Sequence, residues 1–324
     1  MGLFETMLRN VIMFALLAVP GFLLVKCRIL KPEHSHTLSK LLMYVGMPFL
    51  ILSGTVNNLT LSGGFAVRLL VVALIGIAYT FAMFFITKPL TIGVKNKKTQ
   101  GMMRFCAAFT NNGFLGIPLA REVFKGKPEF DEIFPVLIVL NIITNVMMYT
   151  LGAYLVSGDK KSIGFKKAFF NPVLIAFVIG VILNLINIKA KIPEVVTYSD
   201  HFSGIVTPIS MSILGMKLAT VKFASLFTSL KGYFVSFLKL VAFPVIIVAV
   251  MFGLKFITGG IVNDNVVIGF FVAFAMPTAG LASTFADMYQ GDSKGAVVFT
   301  LGSTMLSIVT IPLLYGLLTL FVGG

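Results

Sequence analysis

Acidic side chains are scarce in this chain of 324 residues: 12 Asp and Glu stand against 26 Lys and Arg, a net charge of +14. None lies in the middle third of a long apolar run, and Glu122 and Asp287 sit toward run ends. Intramembrane carboxylates carry the coupling of proton pumps and cation–proton antiporters, so their absence argues against both. Charged residues of either sign make up 12% of the chain and hydrophobic ones 57%, with a mean hydropathy of +0.98. That excludes a soluble domain of this size. The two cysteines, Cys27 and Cys106, form no C-x-x-C pair and read as free thiols rather than a disulfide or metal site. His34, His36 and His201 have no third ligand nearby and read as surface residues. No H-E-x-x-H, G-x-G-D or paired Asp lies within a run, so the chemistry of an intramembrane enzyme is missing. The first apolar run follows Glu5 and Arg9 and precedes no small-residue cleavage site, unlike a signal peptide.

What the chain has instead is a succession of apolar runs, each near the roughly 20 residues that cross a bilayer. Their spacing predicts an all-α polytopic membrane protein with one domain over residues 1–324 and ten spans. The expected limits are 7–26, 38–56, 64–87, 101–124, 132–156, 172–188, 201–220, 232–256, 265–288 and 295–322. Connections are short, the longest being 157–171. Lys26, Arg28, Lys31, Lys40, Lys88, Lys95, Lys97, Lys98, Arg104, Lys160, Lys161, Lys166, Lys167, Lys217, Lys222, Lys231 and Lys294 fall on one side. Only Arg68, Arg121, Lys125, Lys127, Lys189, Lys191 and Lys255 fall on the other. Basic loops face the cytoplasm, so both termini are expected outside the plasma membrane. The same rule accounts for the net charge without nucleic acid. Asn58-Leu59-Thr60 matches a glycosylation sequon but reads as a bare bacterial loop.

One stretch is wrong for a spanning helix. Asn111-Asn112-Gly113-Phe114-Leu115-Gly116-Ile117-Pro118 puts two amides, two glycines and a proline inside span four. Proline removes a donor and clashes with the preceding turn; broken backbone in a membrane is tolerated only against protein or a water-filled cavity. Span nine carries a second such stretch, Met276-Pro277-Thr278-Ala279-Gly280. Pro48 in span two and Pro208 in span seven are spaced like Pro118 and Pro277. Second matching seventh and fourth matching ninth implies two five-span repeats, about 1–157 and 172–324, inverted because five is odd. If the broken helices cross, Pro118 and Pro277 each suit the first turn of a half-helix. The free N–H groups and positive dipole ends then form an anion site. Its expected lining is Asn111, Asn112, Gly113, Pro118, Pro277, Thr278, Ala279 and Gly280. Asn141, Asn145 and Tyr149 share one face of span five; they either join the site or bond between helices, at about 0.6 kcal/mol each. Thr300, Ser303 and Thr304 in span ten read as packing contacts. Lys239, about seven residues into span eight, either snorkels to the cytoplasmic surface along its own stem or lines the anion path.

The stretch from Asn111 to Ala120, and Met276 to Gly280 leading to Phe285-Ala286-Asp287-Met288-Tyr289, resemble the auxin efflux carrier family. That family includes plant auxin exporters and bacterial proteins called malate permeases. The resemblance covers essentially the whole chain. It implies ten spans with crossed, proline-broken fourth and ninth helices, and a crossover site at Asn111 between Pro118 and Pro277. It also implies elevator-like secondary transport of organic anions and a scaffold of spans one, two, six and seven through which a homodimer forms. Two departures argue against auxin itself: the loop after span five is short, and Thr278-Ala279-Gly280 stands where plant members have Gln-Gly. The expected function is therefore carriage of a small carboxylate such as malate across the plasma membrane, with no cofactor and with H+ or Na+ as the coupling ion if there is one. The alternatives are a sodium-coupled symporter of the bile-acid type and a non-transporting membrane sensor.

Overall fold

The computed structural model describes residues 3–59, 63–124, 126–221, 226 and 228–322. Lys125, Lys222 and Thr60 of the sequon lie outside them. The described residues are about 81% helical, and none is in a strand apart from one isolated bridge. Among the described residues seven helices are long and apolar enough to cross a bilayer: Glu5–Lys26, His34–Asn58, Gly63–Leu90, Phe130–Ser157, Lys160–Leu185, Leu230–Ile257 and Ser293–Leu318. The remaining expected spans, 101–124, 201–220 and 265–288, are each split into shorter helices.

We number the helices used below as α1 (Leu3–Leu17), α2 (Val19–Lys26), α3 (Met47–Asn58), α4 (Gly63–Leu90), α5 (Lys97–Ala108), α6 (Ile117–Phe124), α7 (Phe130–Met147), α8 (Pro172–Leu185), α9 (Glu194–Ser203), α10 (Val206–Leu218), α11 (Phe243–Ile257), α12 (Asp264–Phe274), α13 (Ala282–Met288) and α14 (Ser293–Leu318). Local sequence sets their ends. Asn96, Asn171, Asn263 and Asp292 each accept a backbone N–H of the first turn of α5, α8, α12 and α14, the usual service of a short polar side chain at a helix start. Pro48, Pro118 and Pro244 follow wide π turns at Leu42–Gly46, Asn112–Gly116 and Leu238–Ala242. A proline ring collides with the carbonyl four residues back, and widening the preceding turn relieves the collision.

Two packing groups stand out, joined by α1 on α14 and by α3 on α7. In one, α3 lies on α8 and α9, and α2 lies on α10. The α2–α10 contact is very close: a Cβ on Gly215 would stand 1.8 Å from the Ala18 carbonyl oxygen, and one on Gly21 would stand 1.9 Å from that of Ser212. In the other, α7 packs on α4 and α12, and α14 on α5 and α13. The aromatic core sits here, with Phe105, Phe270, Phe271, Phe274 and Phe285 buried around the two breaks.

Candidate functional site

The two breaks meet. Thr110 and Thr278 face each other in an antiparallel bridge, closed by Asn111 N–H to the Pro277 oxygen at 2.8 Å and Ala279 N–H to the Phe109 oxygen at 3.1 Å. The threonine hydroxyls finish the job for the helices that end there. Thr110 Oγ1 donates to the Ala273 oxygen at 2.9 Å, and Thr278 Oγ1 donates to the Cys106 oxygen at 2.9 Å. Each break thus satisfies one of the orphan carbonyls at the helix end of the other.

This bridge changes several sequence expectations. Pro277 does not open a half-helix; it lies in the extended crossing strand, and α13 begins only at Ala282. Pro118 does sit in the first turn of α6, behind a wide turn. The prolines are therefore not counterparts, because the bridge pairs Thr110 with Thr278. The Thr278 and Ala279 N–H groups are committed, the first to Ser303 Oγ at 3.2 Å and the second to Phe109. Both are buried within the protein, so neither is a free anion donor. Ser303, expected as a packing contact, anchors the break. The wide turn Asn112–Gly116 offers what remains: its leading N–H groups, at Asn112, Gly113 and Phe114, are those that a helix start leaves without an intrahelical acceptor.

The adjacent amides have different surroundings. Asn112 is 1% exposed; its Nδ2 donates to Thr144 Oγ1 at 3.0 Å and its Oδ1 accepts from Asn141 Nδ2 at 2.9 Å. Asn145 Nδ2 donates to the Asn141 oxygen at 2.9 Å. This chain of amides ties the break to α7. Gly113 makes room for it, since a Cβ there would come within 2.7 Å of Asn141 Nδ2. Asn111, by contrast, gives its side-chain amide to no described residue. It lies beside Gly280, whose missing Cβ would be 3.5 Å from either amide atom.

Asn111 and Gly280 separate two small cavities. One, about 40 Å³, is lined by Asn111, Asn112, Gly113, Asn141, Asn145, Tyr149, Ala279 and Gly280 among others. Since a water needs about 10–15 Å³, it has room for a few waters. The other, about 30 Å³, is lined by Asn111, Gly280, Lys217, Ser210, Thr300 and Thr304. Pro118, Pro277 and Thr278 line neither. Met43, Tyr149, Asn171 and Leu281 of the first cavity also wall a vestibule of about 440 Å³ that includes His36, Lys40 and Lys167. A second vestibule, about 390 Å³, holds Pro118 and Arg121 and shares no wall with either cavity. There Arg121 reaches Asp200 at 3.4 Å and Ser203 Oγ at 3.0 Å, while Ser53 donates to Asp200 at 2.6 Å.

Two lysines differ from expectation. Lys217 belongs to α10 rather than a loop, and its Nζ donates to the Gly280 oxygen at 3.1 Å and Ser283 Oγ at 3.0 Å. Its approach to a break in another helix has no short-range sequence signal. Lys239 does not snorkel. It is 0% exposed, and its Nζ donates to the Phe274 oxygen at 3.2 Å. A carbonyl at the core end of α12 holds it where water was expected to. His34, His36 and His201 are exposed, and Cys27 and Cys106 are free thiols, the first exposed and the second buried.

The sequence matches the family described as "Membrane transport protein" over residues 6–165 and 161–315. This is the family of the auxin efflux carriers. The chain belongs to it. The carrier is also 30% identical, over 97% of each chain, to an "Uncharacterized transporter" of Methanothermobacter thermautotrophicus strain Delta H. Family membership and the apolar helices together make it a multi-pass membrane transport protein.

Proposed function

We propose that the carrier moves a small organic anion, malate or a carboxylate of similar size, across the plasma membrane by secondary transport. The free side-chain amide of Asn111, at the junction of two small cavities beside the helix break, carries this proposal. Asn111 is half-buried, and its amide, without a protein partner, is left to water or a ligand. The N–H groups leading the turn Asn112–Gly116 add donors and the positive end of a helix dipole. Lys217 brings a full positive charge to the second cavity. One carboxylate then binds between Asn111 and those N–H groups, and a second meets Lys217. The amide chain Asn112–Asn141–Asn145 holds the break in shape.

Ten spans in two inverted repeats fit the crossing of oppositely directed broken helices. Entry is from the vestibule of Lys40 and Lys167, the cytoplasmic side by the basic-loop rule. Both termini are then outside. The group α4–α7 and α11–α14 slides as one body against α1–α3 and α8–α10, the scaffold through which two copies associate. Uptake of radiolabelled L-malate into proteoliposomes tests the reading. Asn111→Ala should abolish uptake while the protein purifies and melts as the parent does. Unchanged uptake would remove the site assignment.

A further inference from the structure

Lys239 sits in the wide turn Leu238–Ala242, with its only described hydrogen bond to the Phe274 carbonyl, the last of α12. A helix C-terminus carries roughly half a negative charge, and its final carbonyls have no intrahelical donors. Here they are divided among neighbours. Phe271 accepts from the Ala275 N–H, Ala273 and Met276 accept from Thr110 Oγ1, and Phe274 accepts from Lys239. The lysine brings its terminal amine to this group, a full positive charge when protonated. The matching end of α5 is served differently, by the neutral Thr278 hydroxyl at Cys106 and the Ala279 N–H at Phe109.

Nothing acidic offsets the ammonium. The elements packed on its turn are α5, Leu230–Phe237, α11 and α14. Their charged groups are Lys97, Lys98, Arg104, Lys231, Lys255 and Lys294, every one a cation. Asp264 lies at the opposite end of α12, about 15 Å away along the helix, and pairs with Lys255. The partner of this ammonium is therefore the carbonyl end of a broken membrane helix, the kind of end that holds free Na+ or H+ in carriers.

We propose that the Lys239 ammonium is a tethered cation that fills the cation site at the α12 terminus, so that traffic through the crossover needs no free alkali cation. Only the uptake arm of the test rests on the anion-carrier reading. Cations that bind the native state raise its melting temperature. The purified wild type should melt within about 1 °C in NaCl and in choline chloride of equal ionic strength. Lys239→Ala should melt lower in choline, and NaCl or ethylammonium chloride should recover about half of the loss or more. If that variant does not fold, the wild type still decides: malate uptake with choline replacing Na+ should stay within about twofold. Stabilisation of the wild type by Na+, an uptake loss beyond about fivefold without Na+, or an alanine variant indifferent to both cations would overturn the proposal. Wild-type vesicles that take up no malate in either salt would refute the anion reading, and the melting data would still decide the role of Lys239.

Discussion

Asn111 and Asn112 are chemically identical neighbours, yet their alanine variants should fail in opposite ways. Asn112→Ala removes two buried hydrogen bonds, to Thr144 and from Asn141. Between membrane helices such bonds average about 0.6 kcal/mol each. Asn141 loses its acceptor, a loss that in a dry core costs about 1–3 kcal/mol. Because Asn141 lines the 40 Å³ cavity, water can replace the lost acceptor. The smaller figure wins, and the expected destabilisation is about 1–2 kcal/mol. At about 2 °C per kcal/mol for a chain of this size, melting falls by about 2–4 °C. Asn111→Ala breaks no protein hydrogen bond and should stay within about 0.5 kcal/mol of the parent. Its defect appears with ligand. An anion at 100 times its Kd stabilises the parent by about 2.7 kcal/mol. Losing one hydrogen bond to a charged group, about 1.5–3 kcal/mol, weakens binding roughly ten- to hundredfold. At the same anion concentration the stabilisation then drops to about 1 kcal/mol. Thermal melting of both variants with and without malate measures all four numbers. If Asn111→Ala lowers the ligand-free melt while keeping the ligand shift, the division of labour between the two amides is wrong.

Lys217→Met should weaken malate binding about tenfold or more by removing a charged donor, with Lys217→Arg retaining part of it; equal Kd values in a titration would place the second carboxylate elsewhere. Gly215→Ala forces a methyl against the Ala18 carbonyl and should cost about 1–3 kcal/mol of stability, visible as a lower melt in detergent; an unchanged melt would mean that α2 and α10 stand farther apart. Arg121 and Asp200 are each more than a third exposed, so Asp200→Asn should change stability by less than about 1 kcal/mol. The same change should speed thiol labelling of a cysteine placed at Thr207 in the outer vestibule, and unaltered labelling would deny the pair any part in closing that face.

The breaks were legible because Gly, Pro and paired amides are conspicuous against an apolar background, and Asn111 through Pro118 needs no partner to look unhelical. What joins the breaks was not. Nothing in Thr278-Ala279-Gly280 reveals that two of its N–H groups are spent on Ser303 and Phe109, since those bonds depend on register between segments far apart in sequence. Pairing the breaks by their prolines misaligned them, because the bridge is centred on Thr110 and Thr278, residues with unremarkable propensities. Lys217 and Lys239 were misjudged for a related reason. A lysine at the end or in the middle of an apolar run looks bound for water until the fold supplies a carbonyl closer than the surface.

The bridge between Thr110 and Thr278 has a mechanical corollary. Because each crossing strand meets most of the other's hydrogen-bonding needs, the pair draws little on α1–α3 and α8–α10 for its backbone bonds, the Gly280 carbonyl held by Lys217 of α10 being the exception. Under the proposed sliding motion, such a body shifts past its frame with the bridge itself still closed. Translation then strains only side-chain tethers such as Lys217 to Gly280, and those can be re-formed one rung further along.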